Sequence, residues 1–485
     1  MTLKHPLRLL LFLLLTRLLT GCATNPVTGQ PDFVLMSEAQ EVSLGRRYNQ
    51  EILKQKPAYD DPALAAYVDR VGQTLARVSH RPNLTYHFTV VDSPAVNAFA
   101  LPGGYIYIER GLLAYLNTEA QLAAVLGHEL GHVTARHSVR QQSAATVTGV
   151  LGTVLSSRLG VQGTQDVFNV LGKAVLSGYG RKHELEADRL GALYLARAGY
   201  DPHAMIEVIG ILKNQELFER QRAREQGRQP RAYHGLFATH PDNDRRLQEV
   251  VAEAGRLATP GGAVNRNGFL DHLEGLVFGD SPRDGIRHRN RFVHGPLDFG
   301  LDFPPRWRLE NFPDRLLGLA PDKQALLEVR VRPVEGGQSP RALLQKLGVK
   351  DFRDGRPLRA GGLRGYTVTA PVSTGFGSRR ARVTVLYDHG NAFLFIGVSR
   401  QANGLARFDA DFLSVARSYH KLSADEKKLA RGHRLHIITA TARTRMAELA
   451  RNSPLDRYAE EQLRLLNDLY PDGEPRPGQR LKVVR

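Results

Sequence analysis

Leu126-Gly127-His128-Glu129-Leu130-Gly131-His132 is the stretch from which this chain can be read outward. Its flanks are helical: Thr118 followed three residues later by Gln121 makes a capping-box start, and Leu122, Val125, Leu126, Leu130 and Val133 recur at helical spacing. Residues four apart on a helix lie on one face, one turn above each other. His128 and His132 can therefore share one zinc ion through their imidazole nitrogens. Glu129 projects near the same edge, where it can take a proton from a water at the metal. Gly127 and Gly131 stand in mid-helix, each at a cost of about 1 kcal/mol relative to alanine. Two exposed histidines on a surface helix would not call for them; the close approach of another element would.

A chain of 485 residues suggests two to four domains. Hydrophobic residues at 42% are ample for packed cores, and a formal charge of +17 makes the chain strongly basic. There is no arginine block with interleaved aromatics and no nucleic-acid motif, which argues against nucleic acid as a partner. A basic surface suits an anionic envelope or membrane.

The first residues bear on the compartment. Lys4, His5 and Arg8 precede an apolar run at 9–15 that is too short to span a bilayer, so residues 1–21 read as a secretory signal. Leu19-Thr20-Gly21-Cys22 resembles the bacterial lipobox, which implies lipidation of Cys22; Arg17 interrupts the apolar stretch. Cys22 is the only cysteine, which excludes an intrachain disulfide. Ala23 resembles the residue that follows the cysteine in lipoproteins sorted to the outer membrane. The expectation is a periplasmic protein of a Gram-negative cell, held at the membrane by a lipid anchor.

Residues 22–34 read as a polar tether. Ser37-Glu38-Ala39-Gln40 is a second capping box, opening a helix through about residue 53, and another helix is expected over 62–78. Residues 85–91 alternate as a strand, and 97–108 read as strand, turn and strand, with the HExxH helix directly after. Residues 143–180 are small and apolar. They read as two helices joined near 160–163, either close-packed in the core or forming a lid or membrane-touching hairpin over the site. A helix is expected from about 181 to 199 and another from about 202, then a polar linker at 221–231 and a domain boundary at 261–268. Beyond it, strands at 292–303, 325–331, 365–370, 382–387 and 392–398, with helices at 340–347 and 406–420, indicate a separate α+β domain. No internal repeat is present.

Zinc in a hydrolytic site takes three protein ligands and leaves one position open. Glu184-x-x-x-Asp188 on the helix after 180 is a candidate for the rest: Glu184 on the metal, and Asp188 one turn on, accepting the outer N–H of a ligating histidine. Together, His128-Glu129-Leu130-Gly131-His132, Glu184-Leu185-Glu186-Ala187-Asp188 and His240-Pro241 with Arg246 resemble the zinc metallopeptidases that include the CAAX prenyl protease, the HtpX heat-shock protease and the periplasmic BepA-like proteases. Residues 25–29 and 97–104 resemble the exported members.

The resemblance implies a mainly helical gluzincin domain with His128, His132 and Glu184 on zinc and Glu129 as general base. It also implies that His240 lies at the active site with Arg246 nearby, either closing the metal's fourth position or stabilising the oxyanion. His137 carries no assigned role, a buried structural histidine being one reading. Asn97, Ala98 and Phe99 are candidates for a strand edge on which an extended peptide substrate lies by β-addition.

Residues 433–484 depart from the BepA-like pattern and faintly resemble a LysM module, with peptidoglycan as the partner that this implies. The expected fold is thus α+β and multidomain: a metallopeptidase domain over 35–258, an α+β domain over 267–422 and a LysM-like segment over 429–485. The expected function is a lipid-anchored zinc endopeptidase acting on misfolded or misassembled envelope proteins. The alternative is a chaperone-like or partner-binding assembly factor with a mostly closed metal site.

Overall fold

Asn25 turns the expected tether back on itself. Its Oδ1 accepts the backbone N–H groups of Val27 (2.8 Å) and Thr28 (3.1 Å), a side-chain turn of the kind asparagine favours. Strand β1 (Cys22–Thr24) then pairs antiparallel with β2 (Pro31–Phe33). The structure, a computed structural model, describes residues 22–144, 146, 180–227, 243–258, 260–334, 339–349, 351–374 and 377–485. Two units emerge from the packing: Met1–Leu276 with Arg434–Arg485, and Val277–His433.

In the first unit, α1 (Glu38–Gln55) opens on the full capping box of Ser37 and Gln40. In α2 (Pro62–Arg77), Asp61 accepts from Leu64 N at 3.0 Å and Pro62 occupies the first turn, where its missing N–H costs nothing. Strands β3 (His87–Val91), β4 (Ala98–Leu101) and β5 (Tyr105–Glu109) form a sheet in the order β3–β5–β4, leaving β4 on an edge. Gly103 and Gly104 turn the chain between β4 and β5 at φ +77° and +93°, which a side chain would strain. The next helix does not follow directly, because α3 (Arg110–Tyr115) intervenes before α4 (Glu119–Thr134).

Helix α4 is buried on every side from Ala120 onward, as a central core helix is. Only half of its expected capping box forms. Thr118 Oγ1 accepts Gln121 N at 3.1 Å, but Gln121 Oε1 accepts the N–H of Asn117, at 2.6 Å, rather than that of Thr118. Helices α5 (Arg181–Arg197), α6 (Ala204–Glu225), α7 (Asn243–Leu257) and α8 (Arg266–His272) complete this part. Residues 221–225 of the expected linker thus belong to α6, and α8 begins inside the expected boundary at 261–268. The apolar stretch after 146 and residues 228–242 lie outside the described residues.

Residues 434–485 fold into the same unit as strand His433–Thr439, helices Met446–Arg451 and Ala459–Leu466, and an antiparallel return strand Arg480–Val484. Lys482 is fully buried there, and its Nζ donates to the carbonyls of Ala114 (2.7 Å) and Leu116 (2.6 Å). Tyr458 and Tyr470 set their rings edge-on to Phe218 of α6. Gly275 N donates to Leu435 O at 2.9 Å and Leu435 N to Leu276 O at 2.8 Å.

The second unit carries a seven-stranded antiparallel sheet. Its strands are β6 (Arg308–Phe312), β7 (Arg315–Leu319), β8 (Ala325–Pro333), β9 (Arg353–Ala360), β10 (Leu363–Thr374), β11 (Gly377–Asp388) and β12 (Asn391–Ser399), in the order β6–β7–β8–β12–β11–β10–β9. A smaller meander precedes it at Ile286–His288, Arg291–His294 and Phe299–Asp302. Side chains alternate between the two faces. Two further helices are α9 (Pro340–Lys346) and α10 (Leu405–Arg417). Leu327, Val329, Phe393 and Phe395 join Trp307, Phe412 and Tyr419 in one core, against α10. Val383, Val385, Leu394 and Val398 join Leu343 and Leu344 of α9 in the other.

Candidate metal centre

Two glycines bring the site together. A Cβ on Gly131 would lie 2.9 Å from Ala187 O and 3.0 Å from Ala187 Cα; one on Gly127 would lie 3.0 Å from Leu195 Cδ1. Helix α5 therefore crosses α4 at backbone distance, the close approach that mid-helix glycines foretold. That crossing sets Glu184, near the start of α5, against His128 and His132 of α4. The far end of α4 is pinned by Arg81, which donates to Val133 O at 3.2 Å while paired with Glu41 and Glu38.

Donor atoms of His128, His132 and Glu184 lie within 4.8 Å of one another, and all three side chains are buried. The Nε2 atoms of His128 and His132 are 3.1 Å apart. Glu184 carboxylate oxygens lie 3.7 Å from His128 Nε2 and 3.6 Å from His132 Nε2. Tetrahedral ligands bonded at 2.0–2.1 Å stand about 3.3 Å apart, so the spacing fits a small divalent ion.

Hydrogen bonding around the two rings fixes which nitrogens face inward. Asp188 Oδ1 lies 2.8 Å from His128 Nδ1; an ionised carboxylate only accepts, so Nδ1 carries the proton and Nε2 presents a lone pair. His132 reaches the same state by a longer route. Its Nδ1 lies 2.8 Å from Nδ1 of His137, whose Nε2 lies 3.1 Å from Glu186 Oε2. Glu186 accepts a hydrogen bond from His137 Nε2–H, so His137 Nδ1 accepts from His132 Nδ1–H and leaves His132 Nε2 bare. Burial lowers the His137 pKa and keeps that ring neutral. Two imidazole lone pairs and a carboxylate converge, and three acceptors at this spacing call for a cation between them. The short Nε2–Nε2 separation is accordingly better read as two ligands than as a hydrogen bond.

In sequence, His137 has a buried structural histidine as one reading and no catalytic role, and Glu186 has no role; His137 is indeed fully buried. His137 is five residues past His132, off its helical face, and reaches it because Arg136 adopts φ +55° and swings the chain back. Arg140 braces Glu186 at 3.3 Å and Asp32 at 3.0 Å, and the His183 ring stacks on His137 at 4.3 Å. Hydrogen bonds from His137, the largest cause, hold the Glu186 pKa down.

Glu129 is fully buried on α4 beside His128. A cavity of about 20 Å³ lined by His128, Glu129, Asp188 and the α6 residues Met205, Val208, Ile209 and Leu212 adjoins it, room for about one water. Ala98 and Phe99 lie on the edge strand β4, with Asn97 just before it. The backbone oxygen of Asn97 accepts Glu109 N at 2.9 Å, and Phe99 stacks on Tyr107 at 4.7 Å. The Asn97 side-chain oxygen has no hydrogen-bond partner among the described residues. His240 lies outside the described residues. The backbone at Arg246 is in α7, which packs on α5 and α6, but its side chain is not described. Cys22 begins β1.

Residues 62–254 match the profile of peptidase family M48. They form an M48 peptidase domain. Among curated relatives, the beta-barrel assembly-enhancing protease of Yersinia pestis is 31% identical over 242 residues, 48% of this chain and 47% of that protein. The protein of the same name in Escherichia coli (strain K12) is 30% identical over 244 residues, 48% of each. The mitochondrial metalloendopeptidase OMA1 of Schizosaccharomyces pombe is 31% identical over 194 residues, 40% of this chain and 53% of that protein. The chain spans about half the length of the curated relatives it matches. M48 peptidases are metal-dependent, and the His128–His132–Glu184 group lies within the matched M48 segment. Among the described residues, no helix is long and apolar enough to cross a membrane.

Proposed function

We propose that the protein is a zinc endopeptidase of the bacterial cell envelope, acting on misfolded or misassembled envelope proteins. The observation that carries this reading is the convergence of two imidazole lone pairs and the Glu184 carboxylate, with Glu129 one residue from His128. His128, His132 and Glu184 would hold the zinc, which when bound supplies Lewis acidity toward the scissile carbonyl and acidifies water. Glu129 takes the proton of the attacking water and returns it to the leaving amine. Asp188 orients His128. Asn97, Ala98 and Phe99 offer the outer side of β4 to an extended substrate, whose backbone would continue the sheet.

The compartment rests on the lipobox-like 19–22 stretch, which gives a periplasmic protein lipid-anchored at Cys22, with the outer membrane as the destination. The names of the beta-barrel assembly-enhancing relatives support envelope proteins as substrates. The strand–helix–helix–strand order of residues 433–484 supports the LysM-like reading, and with it peptidoglycan as a further partner.

The deciding experiment compares wild type with Glu129→Gln for metal content and casein cleavage. One zinc per chain in both, with cleavage lost only in the variant, is the expected result. A variant that still cleaves, or a wild type that holds no metal, would overturn the proposal.

A further inference from the structure

Among the described residues, the second core of the sheet unit is only partly covered. Helix α9 has seven residues and packs on β10 and β11, while the same face continues across β12 and β8. A groove of about 340 Å³ opens there. Strand register sets Leu326 beside Val398, and Leu394 beside Arg330, with Ile396 between. Leu326, Leu394, Ile396 and Val398 line it from the sheet side, and Leu344 of α9 and Leu347 just after that helix line it from above; Leu347 is 38% exposed.

The backbone beneath those four aliphatic side chains is already spent. Residues 326–329 of β8 pair with β7 on one side and β12 on the other, and β12 pairs with β8 and β11. A peptide laid over those four side chains would find no strand edge, and its amides would be desolvated without partners. An occupant that needs no hydrogen bonds along its length suits such a surface: an aliphatic chain. A volume near the lower end of ligand pockets, roughly 300–1,000 Å³, favours one chain over two.

The charged lining lies on β8. Glu328, Arg330 and Arg332 alternate onto the groove face beyond Leu326, and Arg330 is ion-paired with Glu328. Arg332 makes no ion pair among the described residues. Two guanidinium groups against one carboxylate leave a net positive end, and guanidinium takes carboxylate in a two-pronged geometry.

We propose that this groove binds a single aliphatic chain with a carboxylate head, the chain on Leu326, Leu394, Ile396 and Val398 and the head at Arg330 and Arg332. The site is independent of the metal centre. The test uses the full chain and a fluorescent probe, dansylamino-undecanoate, displaced by dodecanoate or by dodecanol. Saturable binding of one probe per chain is expected, with dodecanoate displacing it better than dodecanol. Ile396→Trp fills the groove and should weaken dodecanoate by at least about tenfold.

Paired charge variants give opposite signs. Glu328→Gln releases Arg330 and tightens dodecanoate several-fold, whereas Arg332→Gln weakens it and leaves dodecanol unchanged. Both are surface changes, so they keep the test decisive if Ile396→Trp does not fold. Absence of saturable binding, indifference to Ile396→Trp in a folded variant, or weaker binding in Glu328→Gln would overturn the proposal. So would equal displacement by an apolar peptide, which would reassign the groove to polypeptide.

Discussion

His132 and His137 meet Nδ1 to Nδ1 at 2.8 Å. One histidine of the metal cluster is thus oriented by a second imidazole, while the other, His128, is oriented directly by the Asp188 carboxylate. The proton order in the longer arm is imposed from Glu186 inward, so the inner lone pair depends on a residue that never faces the metal.

Removing that support should loosen the metal without removing a ligand. His137→Phe keeps the ring volume and deletes the acceptor, and metal affinity should fall about 10- to 100-fold, the usual cost of losing an orienting partner. Chelator competition on the folded variant measures it directly. An affinity equal to wild type would mean that His132 needs no such orientation.

The two glycines of α4 should answer differently to alanine. Alanine gains about 1 kcal/mol over glycine in a helix. At Gly131 the new methyl meets the backbone of Ala187, which cannot step aside, and overpacking of about 1–3 kcal/mol should win. At Gly127 it meets the end of the flexible Leu195 side chain, so the change should be near neutral. Gly131→Ala should also weaken metal binding by pushing Glu184 away from the histidines. Melting curves and metal titrations check the order; Gly127→Ala as the worse variant would refute it.

Acid sensitivity of the sheet unit should trace in part to His294. Its Nδ1 accepts Leu297 N at 3.2 Å, and burial lowers its pKa to about 4. The unfolded ring takes its proton near pH 6.5, so between those values the unfolded state binds more protons. The stability contribution is whole above 6.5, shrinks as pH falls and is lost below about 4. His294→Asn keeps an acceptor without titrating, and should flatten the slope of melting temperature against pH over that window. An unchanged slope would remove His294 as a cause.

The two roles that the family resemblance implies for His240 differ in sign. If it occupies the metal's open position, His240→Ala raises basal peptidase activity with zinc retained, and that is the expected outcome. A fall in kcat of about 100- to 1000-fold, again with zinc retained, would point to oxyanion stabilisation.

Much of the metal centre could be read in the sequence because one helical turn brings His128 and His132 together, and α5 offers Glu184 and Asp188 one turn apart. The His137–Glu186 arm could not be read, since it depends on a left-handed backbone at Arg136 that no periodicity announces. In the sheet unit, β8 alternates visibly, and β10, β11 and β12 carry β-branched or apolar runs of strand length. Strand β9 carries Gly355 and Pro357 and breaks the pattern, which its place at the sheet edge tolerates. No pattern in the sequence marks Lys482 for burial, which the carbonyls of Ala114 and Leu116 explain.

The backbone bonds from Gly275 and Leu276 to Leu435 make the sheet unit an insertion whose two ends leave and return side by side. Synthesis must run through the whole insert before the strand bearing Lys482 exists to complete the peptidase unit. The ribosome thereby sets an order of maturation in which residues made after the insert seal a core made before it. Because closure entropy grows only slowly with loop length, that sealing can proceed while the insert is still unfolded, and trimming the insert to a short linker should leave the order intact.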